Sequence, residues 1–219
     1  SDTEMRNFIE TNLKEAAQVL PYKYDDNDYG RYTKGMANTL LMKFYMKIGD
    51  FTSAEAIGRE LLKPEYGYEL ASSYEYLFTL EGERNNEIIH AIVCVPGGQY
   101  HMWHAHVLPN DYPASEAISP VKWGGYKLAW DFVETYEEGD ERLNTISMEY
   151  EKSNGDLVTR NTPNSNIYYG AVPVKYSLKG TIGRESEIDF IIYRYADVLT
   201  LLSEAIVRNA GSVTQEAID

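Results

Sequence analysis

Cysteine is nearly absent from this 219-residue chain, with Cys94 standing alone. No intramolecular disulfide can form, and a cysteine-rich zinc module is excluded. Basic residues are scarce as well. The 20 Lys and Arg face 34 Asp and Glu, for a formal charge of −14 and a sequence pI near 4.7. Phosphate binding by counterion release needs clustered Lys and Arg, so nucleic acid is excluded as a partner. An anionic bilayer surface would repel the chain for the same reason. Long apolar runs are lacking too. The most apolar stretch, Ile88 to Val95, is far shorter than the roughly 20 residues a membrane-spanning helix needs. Ser1-Asp2-Thr3-Glu4 carries neither a basic nor a hydrophobic leader region. Disorder is excluded by composition, because 43% of the residues are hydrophobic. Inside the apolar run, Cys94 reads as a small buried hydrophobe.

What is present in quantity is tyrosine, 19 residues against 3 Trp and 6 Phe. Tyrosine pairs a flat apolar face with a hydroxyl, which suits recognition surfaces and also ordinary packing. At the N-terminal end the apolar positions have helical spacing. Phe8, Ile9, Leu13, Ala16, Ala17 and Leu20 predict a helix over 2–20, capped by a Ser1/Glu4 capping box and stopped by Pro21. A polar, Asp-rich loop follows over 22–32. Its Asp25-Asp26-Asn27-Asp28-Tyr29-Gly30 run invites a calcium reading, but Tyr29 and Met36 occupy positions where an EF-hand needs oxygen ligands; a solvated acidic turn is expected. A second helix over 33–48 ends at Gly49, which suits the left-handed C′ position. A Thr52/Glu55 capping box is expected to open a third helix through Leu62, and Ala54 and Ala56 permit close approach to its predecessor. Helix, Gly-Asp turn and Ala-bearing helix resemble one tetratricopeptide-type hairpin. The same grammar returns at 193–219. Tyr193-Arg194-Tyr195-Ala196-Asp197 opens a helix with Val198, Leu199, Leu201, Leu202, Ala205 and Ile206 on its buried side, ended by Asn209-Ala210-Gly211, and Ser212 with Gln215 begins another. A hairpin cannot bury its inner face against half a partner, so the chain is expected to be a piece of something longer.

Between the hairpins the character changes. Tyr74 to Phe78 reads as a short helix or turn, and Glu87 to Val95 as a short buried strand. Residues 96–126 form a long stretch of Gly, Pro, His and aromatics without clear periodicity, and loops of this length inside compact proteins are usually functional. Leu128 to Tyr136 reads as a short helix. Strand-like alternation marks 145–150 and 168–176, with turns at Asn154-Gly155 and Pro163-Asn164. Phe190 to Tyr193 is a last extended run.

In this order the elements resemble the SusD/RagB family of outer-membrane nutrient-binding lipoproteins. The resemblance rests on Gly30-Arg31-Tyr32-Thr33-Lys34-Gly35, Leu40 to Tyr45, Gly49-Asp50-Phe51, Tyr74 to Phe78 and Asn86-Glu87-Ile88-Ile89. It continues through Phe132-Val133-Glu134, Gly139-Asp140-Glu141-Arg142, Lys175-Tyr176, Arg194 to Leu199 and Ser203-Glu204-Ala205. It implies a mainly α fold, a tetratricopeptide-like helical superhelix with an irregular, loop-rich subdomain containing a few short β-strands. The expected division is a helical part over 1–67, an irregular ligand-binding subdomain over 68–192 and a truncated helical hairpin over 193–219. The resemblance further implies a non-catalytic subunit, lipid-anchored in the full-length protein and exposed at the cell surface on the outer membrane. Such a subunit captures a polysaccharide, oligosaccharide or peptide and delivers it to a SusC-like TonB-dependent transporter. Membrane attachment would come only through an N-terminal anchor outside this segment.

The richest stretch for chemistry is Tyr100-His101-Met102-Trp103-His104-Ala105-His106. Imidazoles at this spacing can converge on zinc, but no nearby carboxylate offers the supporting contacts of an ordered site. A sugar platform is the second reading. Tyr100, Trp103, Trp123 and Tyr126 offer flat faces for the apolar C–H side of a pyranose, and His101, His104, Asn110 or Asp111 offer polar groups for its hydroxyls. Packing beneath a long loop is the third. Trp130, beside Phe132 and Val133, reads as core. The ligand-binding candidates are therefore Tyr100, His101, Trp103, His104, Trp123 and Tyr126, with no catalytic residue, no cofactor and no metal expected. The carboxylates from Glu134 to Glu141 lack the signature of a glycosidase pair, and neither Gly97-Gly98 nor Gly124-Gly125 precedes the Lys-Ser or Lys-Thr of a phosphate loop. An adaptor gripping a peptide on its helices, through Lys43, Lys47 and Arg59, is the alternative.

Overall fold

A computed structural model describes residues 1–95 and 97–218; Pro96, where the long loop is expected to begin, and Asp219, the last residue of the closing hairpin, lie outside the described set. The chain divides into two compact units.

The first unit comprises Ser1–Leu70, Asn86–Ile92 and Ile191–Asp219. Its helices are α1 (Asp2–Val19), α2 (Lys34–Ile48), α3 (Phe51–Leu61), α6 (Tyr195–Ala210) and α7 (Gln215–Ile218). The Ser1/Glu4 capping box opens α1 as the sequence predicts, and Leu20, before Pro21, leaves the helix in an extended conformation. Gly49 closes α2 at φ +79°, the left-handed cap that only glycine adopts cheaply. The start of α3 differs from expectation. Its N-cap is Asp50, whose carboxylate accepts from Ser53 N at 3.1 Å, and Thr52 lies inside the helix. The left-handed Gly49 turns the chain so sharply that the first acceptor after it, an aspartate with a strong N-cap preference, takes the role.

Leu41, Met42, Tyr45, Ala54, Leu61, Val198, Leu202, Ala205 and Ile206 form the core of this unit. Close approach depends on Gly58, where an added Cβ would stand 2.8 Å from Met42 Cε and 2.9 Å from Leu202 Cδ1. Strands β1 (Ile88–Ile92) and β9 (Phe190–Arg194) pair with each other. Glu87, just before β1, ties β9 and α6 together: Arg194 Nη1 donates to Glu87 Oε1 at 2.8 Å in a part-buried ion pair, and Tyr195 N donates to Glu87 O at 2.7 Å.

The second unit comprises Ala71–Asn85 and Val93–Phe190. It holds the short helices α4 (Trp103–Val107) and α5 (Trp130–Val133) and the short strands β2 (Leu128–Ala129), β3 (Ile146–Ser147), β4 (Tyr150–Glu151), β5 (Leu157–Val158), β6 (Gly170–Pro173), β7 (Thr181–Ile182) and β8 (Glu185–Ser186). The central sheet has the order β2-β6-β3, antiparallel throughout, with Leu128 opposite Ala171 and Ile146 opposite Pro173. Hairpins β4-β5 and β7-β8 turn at Gly155 and Gly183, both at positive φ. Two sequence expectations shift here. The stretch from Leu128 begins as a strand and becomes helical only at Trp130, because Leu128 and Ala129 pair with β6. The strand expected over 145–150 is broken into β3 and β4.

Val107, Leu108, Tyr150, Val158, Ile167 and Val172 form one buried cluster, and Val133, Ile146 and Ala171 another. Trp130 packs against both, as expected of a core residue, with its indole N–H 3.1 Å from the carbonyls of Ile167 and Tyr168. Cys94 is buried, and its backbone N–H donates to Asp189 Oδ1 at 2.9 Å. No helix among the described residues is long and apolar enough to cross a membrane.

Candidate glycan platform

The site is built around α4, a helix the sequence did not announce. Five residues are too few for a periodic pattern, and the chain around them is rich in Gly, Pro and His. This short turn points its side chains in two directions. His104 faces inward and is 2% exposed. Its Nε2 lies 2.8 Å from Tyr176 O and its Nδ1 lies 3.0 Å from Thr181 Oγ1. A carbonyl only accepts, so Nε2 carries the proton and Nδ1 accepts from the threonine hydroxyl. Burial depresses its pKa and holds the ring neutral.

Trp103 is partly buried as well. Its indole N–H donates to Pro173 O at 2.9 Å, and its ring meets Tyr176 edge-on at 5.8 Å. His101 packs against Tyr176 and Phe190, at 4.7 and 5.4 Å between ring centres. Its Nδ1 accepts from Trp103 N at 3.2 Å, and burial pushes its pKa down to about 4. Of the six candidates, His104 is therefore buried, and His101 and Trp103 are partly buried. His104 has both nitrogens engaged, Trp103 spends its N–H on the backbone, and His101 sits within an aromatic nest, so the contacts these three make in the structure are packing contacts. Tyr100 is half-buried, and its hydroxyl lies 3.4 Å from Arg184 Nη2.

The outward face of α4 carries His106. A returning segment, Lys122-Trp123-Gly124-Gly125-Tyr126-Lys127, lies directly against it. Trp123 N donates to Ala105 O at 2.7 Å, and Tyr126 N donates to His106 O at 2.9 Å. The two glycines permit this approach. A Cβ at Gly125 would lie 3.2 Å from His106 O, and Gly124 has φ +68° beside Pro109. The outcome is a row of three rings: His106 lies 5.0 Å from Trp123 and 5.5 Å from Tyr126. Trp123 is 51% exposed and Tyr126 65%. The structure thus gathers Trp123 and Tyr126, adds His106, which the candidate set omits, and gives His101, Trp103 and His104 a different set of neighbours.

Both lysines of that segment turn inward. Lys127 Nζ donates to Gly124 O at 3.0 Å, Val107 O at 3.1 Å and Tyr126 O at 3.3 Å, using all three of its protons. Burial lowers its pKa. Lys122 Nζ donates to Tyr112 O at 2.8 Å. Nearby, Asp111 accepts from Tyr150 Oη at 2.6 Å and Asn166 Nδ2 at 2.9 Å, with Lys152 Nζ at 3.2 Å. These bonds outweigh the cost of its partial burial and hold the carboxyl below its ordinary pKa.

Among the described residues no three His, Cys, Asp or Glu side chains converge as a metal site requires. In the Asp-rich loop, Asp25 Oδ1 accepts from the backbone of Asn27 and Asp28, and Asp28 pairs with Arg31 at 3.4 Å. Of the helical cations considered for a peptide adaptor, Arg59 is held by Glu55 at 2.8 Å and Glu216 at 2.6 Å, and Lys43 lies over the Tyr193 ring.

No family model and no curated protein matches the chain. Solved structures do. Surface glycan-binding protein A from Bacteroides uniformis has a TM-score of 0.78 at 21% identity, over 99% of this chain and 48% of that one. Surface glycan-binding protein A from Bacteroides thetaiotaomicron, solved in complex with laminarihexaose, has 0.75 at 21% identity, over 99% and 52%. A SusD superfamily protein from Parabacteroides distasonis has 0.75 at 20% identity, over 95% and 46%. A mainly helical, tetratricopeptide-like scaffold with short strands in a loop-rich region is the class of fold these proteins share with the chain. The chain has the SusD-like fold, as the sequence resemblance implies. It spans about half the length of each of these three structures.

Proposed function

We propose that this chain is the glycan-capturing part of a non-catalytic, surface-exposed nutrient-binding protein. The observation that carries the reading is the row Trp123, His106 and Tyr126. Two of its rings are more than half exposed, on a segment whose backbone is fixed by bonds to α4. Such rings stack on the apolar face of a pyranose, and groups around their edges take its hydroxyls. The ring nitrogens of His106 make no hydrogen bond among the described residues and are available for that purpose. The fold supports the reading, because a structural neighbour was solved with laminarihexaose bound. In the full-length protein, a lipid anchor on the outer membrane and delivery to a SusC-like TonB-dependent transporter complete the proposal. Within it, the irregular region over 68–192 binds ligand and the helices of 1–67 and 193–219 carry it.

Titration calorimetry against plant and host polysaccharides tests the proposal. Measurable binding by at least one glycan, lost on replacing Trp123 and Tyr126 together by Ala, is expected. Binding that survives the double replacement would remove the platform, and an absence of binding to every glycan would remove the function.

A further inference from the structure

The segment Lys122-Trp123-Gly124-Gly125-Tyr126-Lys127 places an ammonium on each side of the two exposed rings. On sequence alone such a pair would suit a carboxylated or sulfated ligand. Its bonding argues against that use. Every proton of the Lys127 ammonium is committed to a backbone carbonyl of α4 or of the segment itself. Withdrawing it to meet a ligand would leave the part-buried bonds to Val107 O and Gly124 O, and the exposed one to Tyr126 O, without their donor, and a carbonyl left unpaired away from water is costly. Lys122 donates one of its protons to Tyr112 O, which turns its ammonium away from the rings, and Lys152 pairs with Asp111. Arg184 remains exposed, but it lies against the Tyr100 hydroxyl and Glu185 follows it directly in the chain. The chain as a whole carries −14.

Resting on the glycan reading above, we infer that the platform takes uncharged glycans and excludes uronate-bearing and sulfated ones, and that Lys122 and Lys127 are internal braces that position the rings. A negative ligand would meet a chain of net charge −14 whose ammonium groups beside the rings are already bonded to carbonyls, and apolar stacking offers it no compensation.

The test compares the intact chain on matched hexasaccharides: neutral glucan, xylan and mannan types against galacturonan, alginate and sulfated types. The expected result is binding confined to the neutral series, with an affinity that changes less than about twofold over a tenfold rise in salt, because no ion pair is there to be screened. Lys127→Arg, which keeps donors for the three carbonyls, retains most of that affinity, and Lys127→Met loses it while the unit stays folded by circular dichroism. Binding of the anionic series with an affinity equal or greater, falling with salt, would overturn the inference and leave the glycan reading standing. No binding by either series would overturn the glycan reading itself.

Discussion

The two tryptophans that look interchangeable in the sequence have opposite consequences when truncated. Trp103→Ala removes a partly buried indole from the cluster around Val107, Tyr150 and Val172, and leaves the Pro173 carbonyl without its donor at 2.9 Å. Core tryptophan truncations cost 3–5 kcal/mol, and partial exposure of this ring places the loss near the lower end, about 3 kcal/mol. For a chain of this size 1 kcal/mol corresponds to about 2–4 °C, so the melting temperature of the second unit falls by about 6–12 °C. Trp123→Ala acts on an exposed ring whose neighbours are held by backbone bonds. Its cost in stability is within about 0.5 kcal/mol, under about 2 °C. In binding, a central stacking residue costs about 2 kcal/mol or more, roughly a thirtyfold loss of affinity. Differential scanning fluorimetry and calorimetric titration on the same two variants separate the effects. A Trp103→Ala protein that melts normally, or a Trp123→Ala protein that melts early yet binds normally, would refute the reasoning.

Two further outcomes follow from the same geometry. Burial holds His101 and His104 below their ordinary pKa, His101 at about 4, so the unfolded chain binds more protons than the folded one between about pH 6.5 and 4. The contribution of His101 to stability is full above pH 6.5 and is lost as pH falls toward 4, and His101→Phe flattens that slope in pH-dependent urea melts; an unchanged slope would contradict the assignment. In the first unit, Gly35→Ala places a Cβ 1.7 Å from the Tyr68 hydroxyl, on a ring lodged between Tyr66 and Tyr195. Overpacking of this kind costs about 1–3 kcal/mol, read as a lower urea midpoint, and a wild-type midpoint would show that Tyr68 moves freely.

The helical unit was legible in the sequence almost to the residue, because periodic apolar positions and left-handed glycines are local signals. Gly49 and Gly211 end their helices at φ +79° and +71°. The exception, Asp50 displacing Thr52 as a cap, arose where two acceptors competed within one turn. The site was legible only in part. Residue type alone cannot tell which side of a five-residue helix faces the core, and α4 hides His104 while presenting His106. The hexapeptide from Lys122 to Lys127 held the usable signal. Two glycines between two aromatics mark a backbone that must lie against something, and its contact with α4 is what brings Trp123 and Tyr126 together.

The chain contains three tryptophans, and the structure sets one apart from the other two. Those of Trp103 and Trp130 donate to backbone carbonyls, whereas Trp123 is half exposed beside His106 and Tyr126. A ¹H–¹⁵N spectrum of the indole region during titration with a neutral glycan therefore tests the central claim directly. The account predicts that the Trp123 resonance moves to saturation while the other two stay in place. A saturating shift at Trp103 or Trp130 with Trp123 unmoved would contradict it.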